Sequence, residues 1–208
     1  MTLTYAITRI ISFTLFKILF RIEVVGKENV PAKGSVLVAS NHASYLDPVL
    51  LGCVLDRMVY FVARESLFKN KMFGALLRSL GVIPIKRGAF DKNVFKTIFD
   101  KLIEEEKCLC IFIEGTRTKT GELGEPKPGL GFIAHKTNSV IVPAYIKGSF
   151  DAFPRGTFII RPVKIKVFYG KPILLSEIKI DENMVEHEKC KVISNFVMER
   201  IKELKAIR

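Results

Sequence analysis

The chain has 208 residues, enough to bury one substantial core, so we expect a single domain over residues 26–208 after a short N-terminal segment. Its formal net charge of +12 calls for an anionic partner, but Lys and Arg are scattered without a basic tail or a recognisable nucleic-acid-binding module, which argues against nucleic acid. The four cysteines contain no Cys-x2-Cys pair and the three histidines have no metal-ligand spacing, so we expect reduced core thiols and no metal.

The N-terminal segment, residues 1–25, is predicted to associate with a membrane. Ile, Leu and Phe dominate its first part, but Arg9 and Lys17 leave no uninterrupted run near the roughly 20 residues of a spanning helix. On a helical wheel Arg9, Lys17 and Arg21 share an arc of about 120°. The pattern therefore favours an amphipathic helix lying in the membrane interface. The alternative is a helix packed on the protein's own core.

The first chemically informative motif follows a buried strand, Ser35 to Ala39. The motif is the turn from Asn41 to Asp47, and a helix begins after it at Pro48. A neutral imidazole at His42 would take a proton from a hydroxyl, and a carboxylate at Asp47 would orient it. The two side chains meet only across a turn, which the proline at the helix start favours. The alternative is that Asp47 is only a helix N-cap and His42 an ordinary loop residue.

The next elements alternate between strand and helix. Their predicted bounds are a strand at Met58 to Ala63, a short helix at about Lys71 to Leu80, a strand at Val82 to Ile85, and an amphipathic helix from Asp91, its cap, to Lys107.

A second polar turn follows the next buried strand, Cys108 to Ile113. The turn reads Glu114-Gly115-Thr116-Arg117, with glycine where the backbone must approach something closely. Backbone and hydroxyl donors beside a guanidinium are suited to a phosphate. The sequence therefore predicts a phosphate site at the end of this strand.

The C-terminal part continues the alternation. We predict a helix near Leu130 to Thr137, strands at Val140 to Ile146 and Val163 to Tyr169, and a last helix from about Asn183 to Lys205. Alternation of this kind predicts an α/β fold, a largely parallel mixed sheet covered by helices, preceded by the N-terminal amphipathic membrane-associating helix.

Together the two motifs resemble the glycerolipid acyltransferase family, in which a His-x4-Asp motif is followed downstream by Glu-Gly-Thr-Arg. The resemblance extends from about Gly26 to about Gly170 and is strongest to bacterial members that act on 1-acyl-glycerol 3-phosphate. The stretch from Gly81 to Arg87 matches the second block of the family, and Val140 to Ile146, with a central proline, matches the fourth. Four blocks in the right order make the resemblance specific.

Three positions depart from the family pattern. Arg64 and Ser66 stand where many relatives have lysine and glutamate, and Pro84 stands where the second block often has an aromatic residue. These departures are expected to affect substrate preference more than reaction class.

The resemblance implies a role for each candidate residue. His42 would remove the proton from the acceptor hydroxyl as that oxygen attacks an acyl thioester, and Asp47 would orient His42. Arg117 would bind the substrate phosphate, with Gly115 and Thr116 adding backbone and hydroxyl donors.

Three further residues are assigned to the phosphate-binding set. Arg87 and Arg64 would assist Arg117, although surface charge at a strand end is the alternative for both. Glu114 belongs to the acceptor-binding block of the family, and we expect it to orient Arg117 or the glycerol.

The resemblance implies transfer of a fatty acyl group to the sn-2 hydroxyl of lysophosphatidic acid, giving phosphatidic acid in phospholipid biosynthesis. Acyl-CoA or acyl carrier protein would be the donor, with no cofactor, and the enzyme would lie peripherally or monotopically on the phospholipid surface at the cytoplasmic face of the cell membrane. The alternatives are an acyltransferase for glycerol 3-phosphate or another lysophospholipid, a thioesterase, and a non-catalytic lipid-binding protein on the membrane surface.

Overall fold

A seven-stranded sheet organises the chain, and the computed structural model describes residues 2–86 and 92–207 of it. The strands are β1 (Glu23–Val25), β2 (Val36–Ser40), β3 (Val59–Arg64), β4 (Val82–Ile85), β5 (Cys108–Phe112), β6 (Val140–Lys147) and β7 (Lys166–Tyr169). The helices are α1 (Leu3–Phe20), α2 (Asp47–Val54), α3 (Lys71–Ser79), α4 (Lys92–Phe99), α5 (Gly129–Thr137), α6 (Ser149–Ala152) and α7 (Glu186–Ala206).

The strand order is β1-β7-β6-β2-β5-β3-β4. All neighbouring strands run parallel except β6 and β7, which are antiparallel. The predicted α/β class with a largely parallel mixed sheet is therefore confirmed. β1 was not predicted, and it falls within the segment 1–25 that we assigned to the membrane, although it pairs with β7.

The central strand β2 shows why the sheet needs helices on both faces. Val36 and Val38 pack in one core with α1 and α2, whereas Leu37 and Ala39 pack in a second core with α4, α5 and α7. Successive side chains of a strand point to opposite faces, so an uninterrupted apolar run is buried on both. This layering holds β2 rigidly at the centre of the sheet.

The helix α1 packs one face on the protein and leaves the other exposed. Tyr5, Phe16 and Phe20 are buried, and the Tyr5 hydroxyl donates to the Gly52 carbonyl at 3.0 Å. Arg9 lies on this packed side and pairs with Asp56. The Asp56 side chain is itself largely exposed, so this ion pair lies at the protein surface.

The opposite face of α1, which we call the α1 apolar face, consists of exposed Leu3, Ile7, Ile10, Ile11, Leu15 and Ile18. Within residues 2–86 and 92–207, α1 is the one helix long and apolar enough, by length and composition alone, to cross a membrane. By this test the two charges in the helix do not make it too polar to span, whereas we had expected that they would. One face of α1 is thus packed on the core, as the alternative drawn from the sequence required, and contact of the other face with a membrane stays a prediction.

The helix predicted over Asp91 to Lys107 is shorter and less regular than expected. α4 covers Lys92–Phe99, and a π-helical turn follows over Asp100–Glu104, in which the Glu105 amide bonds to the Asp100 carbonyl at 3.0 Å. The proposed cap, Asp91, lies outside the described residues. Three residues, among them Glu106 with φ +48°, then connect this turn to β5.

Candidate active site

The two motifs follow neighbouring strands of the sheet. β2 and β5 are hydrogen-bonded in parallel, with Ser40 opposite Phe112 at their carboxyl ends. The turn after β2 and the turn after β5 therefore emerge side by side at one edge. This is the edge at which open α/β sheets bind their ligands.

His42 and Asp47 are brought together by the turn between β2 and α2. His42 Nδ1 lies 2.8 Å from Asp47 Oδ2, and the same oxygen accepts the backbone N–H groups of Ala43 and Ser44 at 2.7 Å each. Asp47 is fully buried. Because its carboxylate bonds to amides that precede the helix, it does not act as a simple N-cap of α2.

The Asp47 carboxylate fixes the orientation of the imidazole. A carboxylate at Nδ1 favours the tautomer with the proton on that nitrogen, which leaves the lone pair on Nε2. The ring also stacks on Phe112, with centroids 3.9 Å apart and planes 13° from parallel. Since the His42 side chain keeps 16% of its surface exposed, Nε2 is placed to act as a general base toward a hydroxyl from outside.

The backbone of His42 is held by the turn after β5. Its N–H donates to Glu114 Oε1 at 3.1 Å, and its carbonyl accepts the Thr118 N–H at 2.9 Å. The second oxygen of Glu114 accepts the Gly124 N–H at 2.8 Å. Glu114 therefore connects the two motif loops through backbone hydrogen bonds.

The position of Glu114 differs from the expectation that it orients Arg117 or the glycerol. The carboxyl is buried behind His42, and this burial raises its pKa, although the N–H groups of Gly124 and His42 oppose the rise. Both oxygens of Glu114 thus accept backbone N–H groups, where we had predicted that the side chain orients Arg117 or the glycerol.

The turn Gly115-Thr116-Arg117 projects Arg117 toward the first motif. Gly115 has φ +67°, a conformation that favours glycine, and its N–H donates to the Phe112 carbonyl at 2.9 Å. Gly115 and Thr116 are exposed at the site edge. The Arg117 guanidinium lies over the Tyr45 ring, 3.4 Å from its centroid. Tyr45 therefore supports Arg117, a contact that the sequence did not indicate.

Two further arginines lie near Tyr45. Its pKa is lowered first by Arg117 and then by the charges of Arg155 and Arg64. Arg64 ends β3, as predicted, whereas Arg155 was not predicted and comes from the segment after α6. We call Arg64, Arg117 and Arg155 the arginine cluster. Arg87, the remaining predicted phosphate ligand, lies outside the described residues.

Two buried polar side chains of the first motif fix this edge of the sheet. The Asn41 amide donates to the Ile146 carbonyl at 3.1 Å and accepts the Ile146 N–H at 2.8 Å, extending the β2–β6 pairing by one rung. The Ser44 hydroxyl donates to the Phe153 carbonyl at 2.7 Å. The sequence did not indicate either contact, because both partners come from a segment about 100 residues away in the chain.

The cysteines are placed in the core. Cys53, Cys108, Cys110 and Cys190 are free and buried, and burial raises the pKa of Cys108 to about 12. In the part of the chain covered by residues 2–86 and 92–207, no three His, Cys, Asp or Glu side chains are grouped so as to hold a metal ion.

Comparisons with known proteins agree with the two motifs. The acyltransferase family model matches residues 21–147. A 1-acyl-sn-glycerol-3-phosphate acyltransferase of Bacillus subtilis (strain 168) is 28% identical over 184 residues, which cover 88% of this chain and 87% of that protein. A protein of the same name from Borreliella burgdorferi is 26% identical over 189 residues, covering 90% of this chain and 73% of the relative.

A solved structure shares the fold. The crystal structure of the 1-acyl-sn-glycerophosphate (LPA) acyltransferase PlsC from Thermotoga maritima superposes with a TM-score of 0.79 at 24% identity. The match covers 98% of this chain and 80% of the other. The whole described architecture, including α1, therefore has a counterpart among solved proteins.

Proposed function

Because the chain belongs to the acyltransferase family, we propose that it transfers a fatty acyl group from an acyl thioester to the sn-2 hydroxyl of 1-acyl-glycerol 3-phosphate, giving phosphatidic acid. The acceptor is supported by the names of the Bacillus and Borreliella relatives, which this chain matches over most of their length. The observation that carries the proposal is the 2.8 Å contact between His42 and Asp47 at the carboxyl edge of the sheet.

In the proposed reaction His42 is the general base. Nε2 takes the proton of the sn-2 hydroxyl as the oxygen attacks the thioester carbonyl, and Asp47 stabilises the imidazolium that forms. The tetrahedral intermediate then breaks its C–S bond, and the imidazolium returns the proton to the departing thiolate. A new ester and a free thiol result.

No covalent acyl-enzyme is needed for this chemistry. A thioester is already activated, so the alcohol oxygen attacks it directly. Cys108 and Cys110 lie in β5 beneath the site, but their thiols are buried and burial raises the pKa of both. A protonated, inaccessible thiol is a poor nucleophile.

The arginine cluster is proposed to bind the acceptor phosphate. A guanidinium grips phosphate oxygens through two parallel N–H bonds, and Arg117 is already held flat by the Tyr45 ring. The charges of Arg155 and Arg64 also lower the pKa of Tyr45, which supports their assignment to the same anion site. Arg87, Gly115 and Thr116 stay predicted contributors, whereas Glu114 is proposed to position His42.

The α1 apolar face is proposed to place the enzyme on the cytoplasmic leaflet of the cell membrane, peripherally or monotopically. The face is exposed although it is almost wholly Leu and Ile, and the substrate is a membrane lipid. Either acyl-CoA or acyl carrier protein would serve as donor without a cofactor, since both are anionic and the protein carries +12.

The test is thiol release from a long-chain acyl-CoA, with and without lysophosphatidic acid in mixed micelles, and in parallel from acyl carrier protein. We expect release only with the acceptor, and its loss in His42→Ala but not in the matched control His135→Ala, which removes an exposed histidine of α5. Release without any acceptor would indicate a thioesterase. A higher rate with glycerol 3-phosphate or another lysophospholipid would change the assigned acceptor, and no release from either donor would leave only lipid binding.

A further inference from the structure

An exposed apolar loop stands beside the active site. Residues 153–160 form a loop closed at its base by the Arg161 N–H, which donates to the Ala152 carbonyl at 2.8 Å. Its most exposed part, which we call the tip, consists of Phe158, Ile159 and Ile160, which are 98%, 71% and 51% exposed. We call residues 153–160 the apolar-tip loop. Three successive large apolar side chains exposed to water indicate a surface that binds an apolar partner.

The base of the apolar-tip loop forms part of the site. The Phe153 carbonyl accepts the Ser44 hydroxyl, and the Phe153 ring lies 5.6 Å from the Tyr45 ring. Arg155, the next cation along the loop, belongs to the arginine cluster and lowers the pKa of Tyr45. Whatever binds the tip is therefore held close to the catalytic histidine.

The outgoing limb of the loop reaches the N-terminal helix. After Arg161 the chain runs to Ile165, whose N–H donates to the carbonyl of Phe20, the last residue of α1, at 3.0 Å. The loop and the helix with the α1 apolar face are thus joined through the backbone.

Charge indicates which partner fits the tip. Exposed Arg155 and Arg161 flank the three apolar residues on either side. Apolar side chains between exposed guanidinium groups match the layering of a bilayer surface, where acyl chains lie beneath a plane of phosphate groups. A soluble anionic partner would use the arginines but would leave Phe158 in water.

We propose that Phe158, Ile159 and Ile160 insert into the bilayer while Arg155 and Arg161 contact lipid phosphates, so that the apolar-tip loop is a second membrane contact, separate from α1. The inference rests on the proposed function, because an acceptor with a long acyl chain reaches His42 from the bilayer. The loop would place the entrance of the site at the level of the headgroups, where the sn-2 hydroxyl lies.

A single-tryptophan probe tests insertion directly, because the chain contains no Trp. Phe158→Trp is mixed with vesicles of phosphatidylglycerol and phosphatidylcholine brominated on the acyl chains. We expect strong quenching of its fluorescence. The matched control is Val185→Trp, since Val185 is 64% exposed but precedes α7 at the amino-end edge of the sheet. Equal quenching at the two positions, or none at 158 while the protein is vesicle-bound, would overturn the proposal.

A second pair of variants tests the energetic contribution. Phe158→Ser/Ile159→Ser is compared with Leu174→Ser/Val185→Ser, which removes the same number of exposed apolar side chains at the opposite edge. We expect the partition coefficient on anionic vesicles to fall by at least about tenfold in the first and by less than about twofold in the second. Unchanged partitioning in the loop variant contradicts the inference.

Activity separates failure of this inference from failure of the proposed function. The loop variant should lose turnover of vesicle-borne lysophosphatidic acid but keep the wild-type rate toward a short-chain, water-soluble lysophosphatidic acid. If the wild type turns over neither acceptor, the proposed function is wrong, while the quenching result still reports on the loop. Equal losses of turnover toward both acceptors would mean that the loop only supports the structure of the site, and would refute a membrane contact.

Discussion

Replacing Asp47 by Asn removes one charge from the site while keeping the shape of the side chain. In the native loop Oδ2 receives three N–H groups, from His42, Ala43 and Ser44. The two backbone donors require an oxygen at this place, so the oxygen of the introduced amide is expected to occupy it. The tautomer of His42 is then preserved, and only the electrostatic stabilisation of the imidazolium is lost.

The size of that loss follows from the contact distance. With Nδ1 and Oδ2 2.8 Å apart, the centres of the two charged groups are about 4 Å apart, which gives about 4 kcal/mol at an effective dielectric constant of about 20. The neutral hydrogen bond that the amide oxygen accepts from His42 Nδ1–H returns about 1 kcal/mol. The remaining difference of about 3 kcal/mol corresponds to roughly a hundredfold lower kcat/KM.

Stability distinguishes charge from structure. Three hydrogen bonds to a charged group become bonds to a neutral one, but folding of Asp47→Asn no longer has to bury a charge. We therefore expect a net loss of no more than about 1 kcal/mol, which for a chain of this length lowers Tm by about 2–4 °C. Asp47→Ala is the contrasting variant, because it leaves the buried amides of Ala43 and Ser44 without an acceptor and costs about 1–3 kcal/mol for each. Its activity should fall further than that of Asp47→Asn.

The assay is acceptor-dependent thiol release together with thermal unfolding of the same preparations. A variant Asp47→Asn that keeps more than about a third of the wild-type kcat/KM would refute the electrostatic role, since the expected loss is near a hundredfold. If Asp47→Asn and Asp47→Ala lose the same stability, the assignment of the amide oxygen to the two backbone N–H groups is wrong.

Three further results are expected. Arg117→Gln should raise the pKa of Tyr45, because the neighbouring guanidinium lowers it. The Tyr45 titration is followed by absorbance at 295 nm, as the difference between proteins with and without Tyr45→Phe. An unchanged pKa would show that the two side chains do not interact in solution. Burial raises the pKa of Glu114, so the folded protein binds the proton of this carboxyl more tightly than the unfolded chain does. The stability of the wild type relative to Glu114→Gln should therefore decrease as pH rises through that pKa. A difference in Tm between the two proteins that stays constant from acid to neutral pH contradicts this. Treatment with iodoacetamide at neutral pH should leave the rate of acyl transfer by the native protein unchanged, because the Cys108 thiol is buried and burial raises its pKa to about 12. The appearance of an acylated cysteine during turnover would refute direct transfer.

The sequence predicted those parts of the fold that depend on local pattern. The apolar runs of β2, β5 and β6 are long, and their alternation with helices required a parallel sheet. β1 was missed because Glu23–Val25 is a three-residue strand that pairs with β7, more than 100 residues away in the chain. The predicted strand from Val163 begins at Lys166, since the preceding residues bond to the end of α1 and to the loop base.

The site was predictable where its residues are close in sequence. His42 and Asp47 are five positions apart across one turn, and chemistry suggested their contact. Tyr45 and Arg155 were not assigned, because their closeness to Arg117 depends on the path of the chain after β6. The hydrogen bonds of Glu114 were not foreseen for a similar reason, since nothing in the motif shows that its two oxygens face the backbone of His42 and Gly124.

The bond from the Thr118 amide to the His42 carbonyl has a consequence for engineering acceptor preference. Together with Glu114 it makes the catalytic turn and the 114–127 loop one hydrogen-bonded unit. A chimera that takes this loop from an enzyme with another acceptor would also change the hydrogen bonds that hold the backbone of His42. We therefore expect acceptor preference and turnover number to change together in such chimeras, and selection for a new acceptor to recover compensating substitutions in both loops.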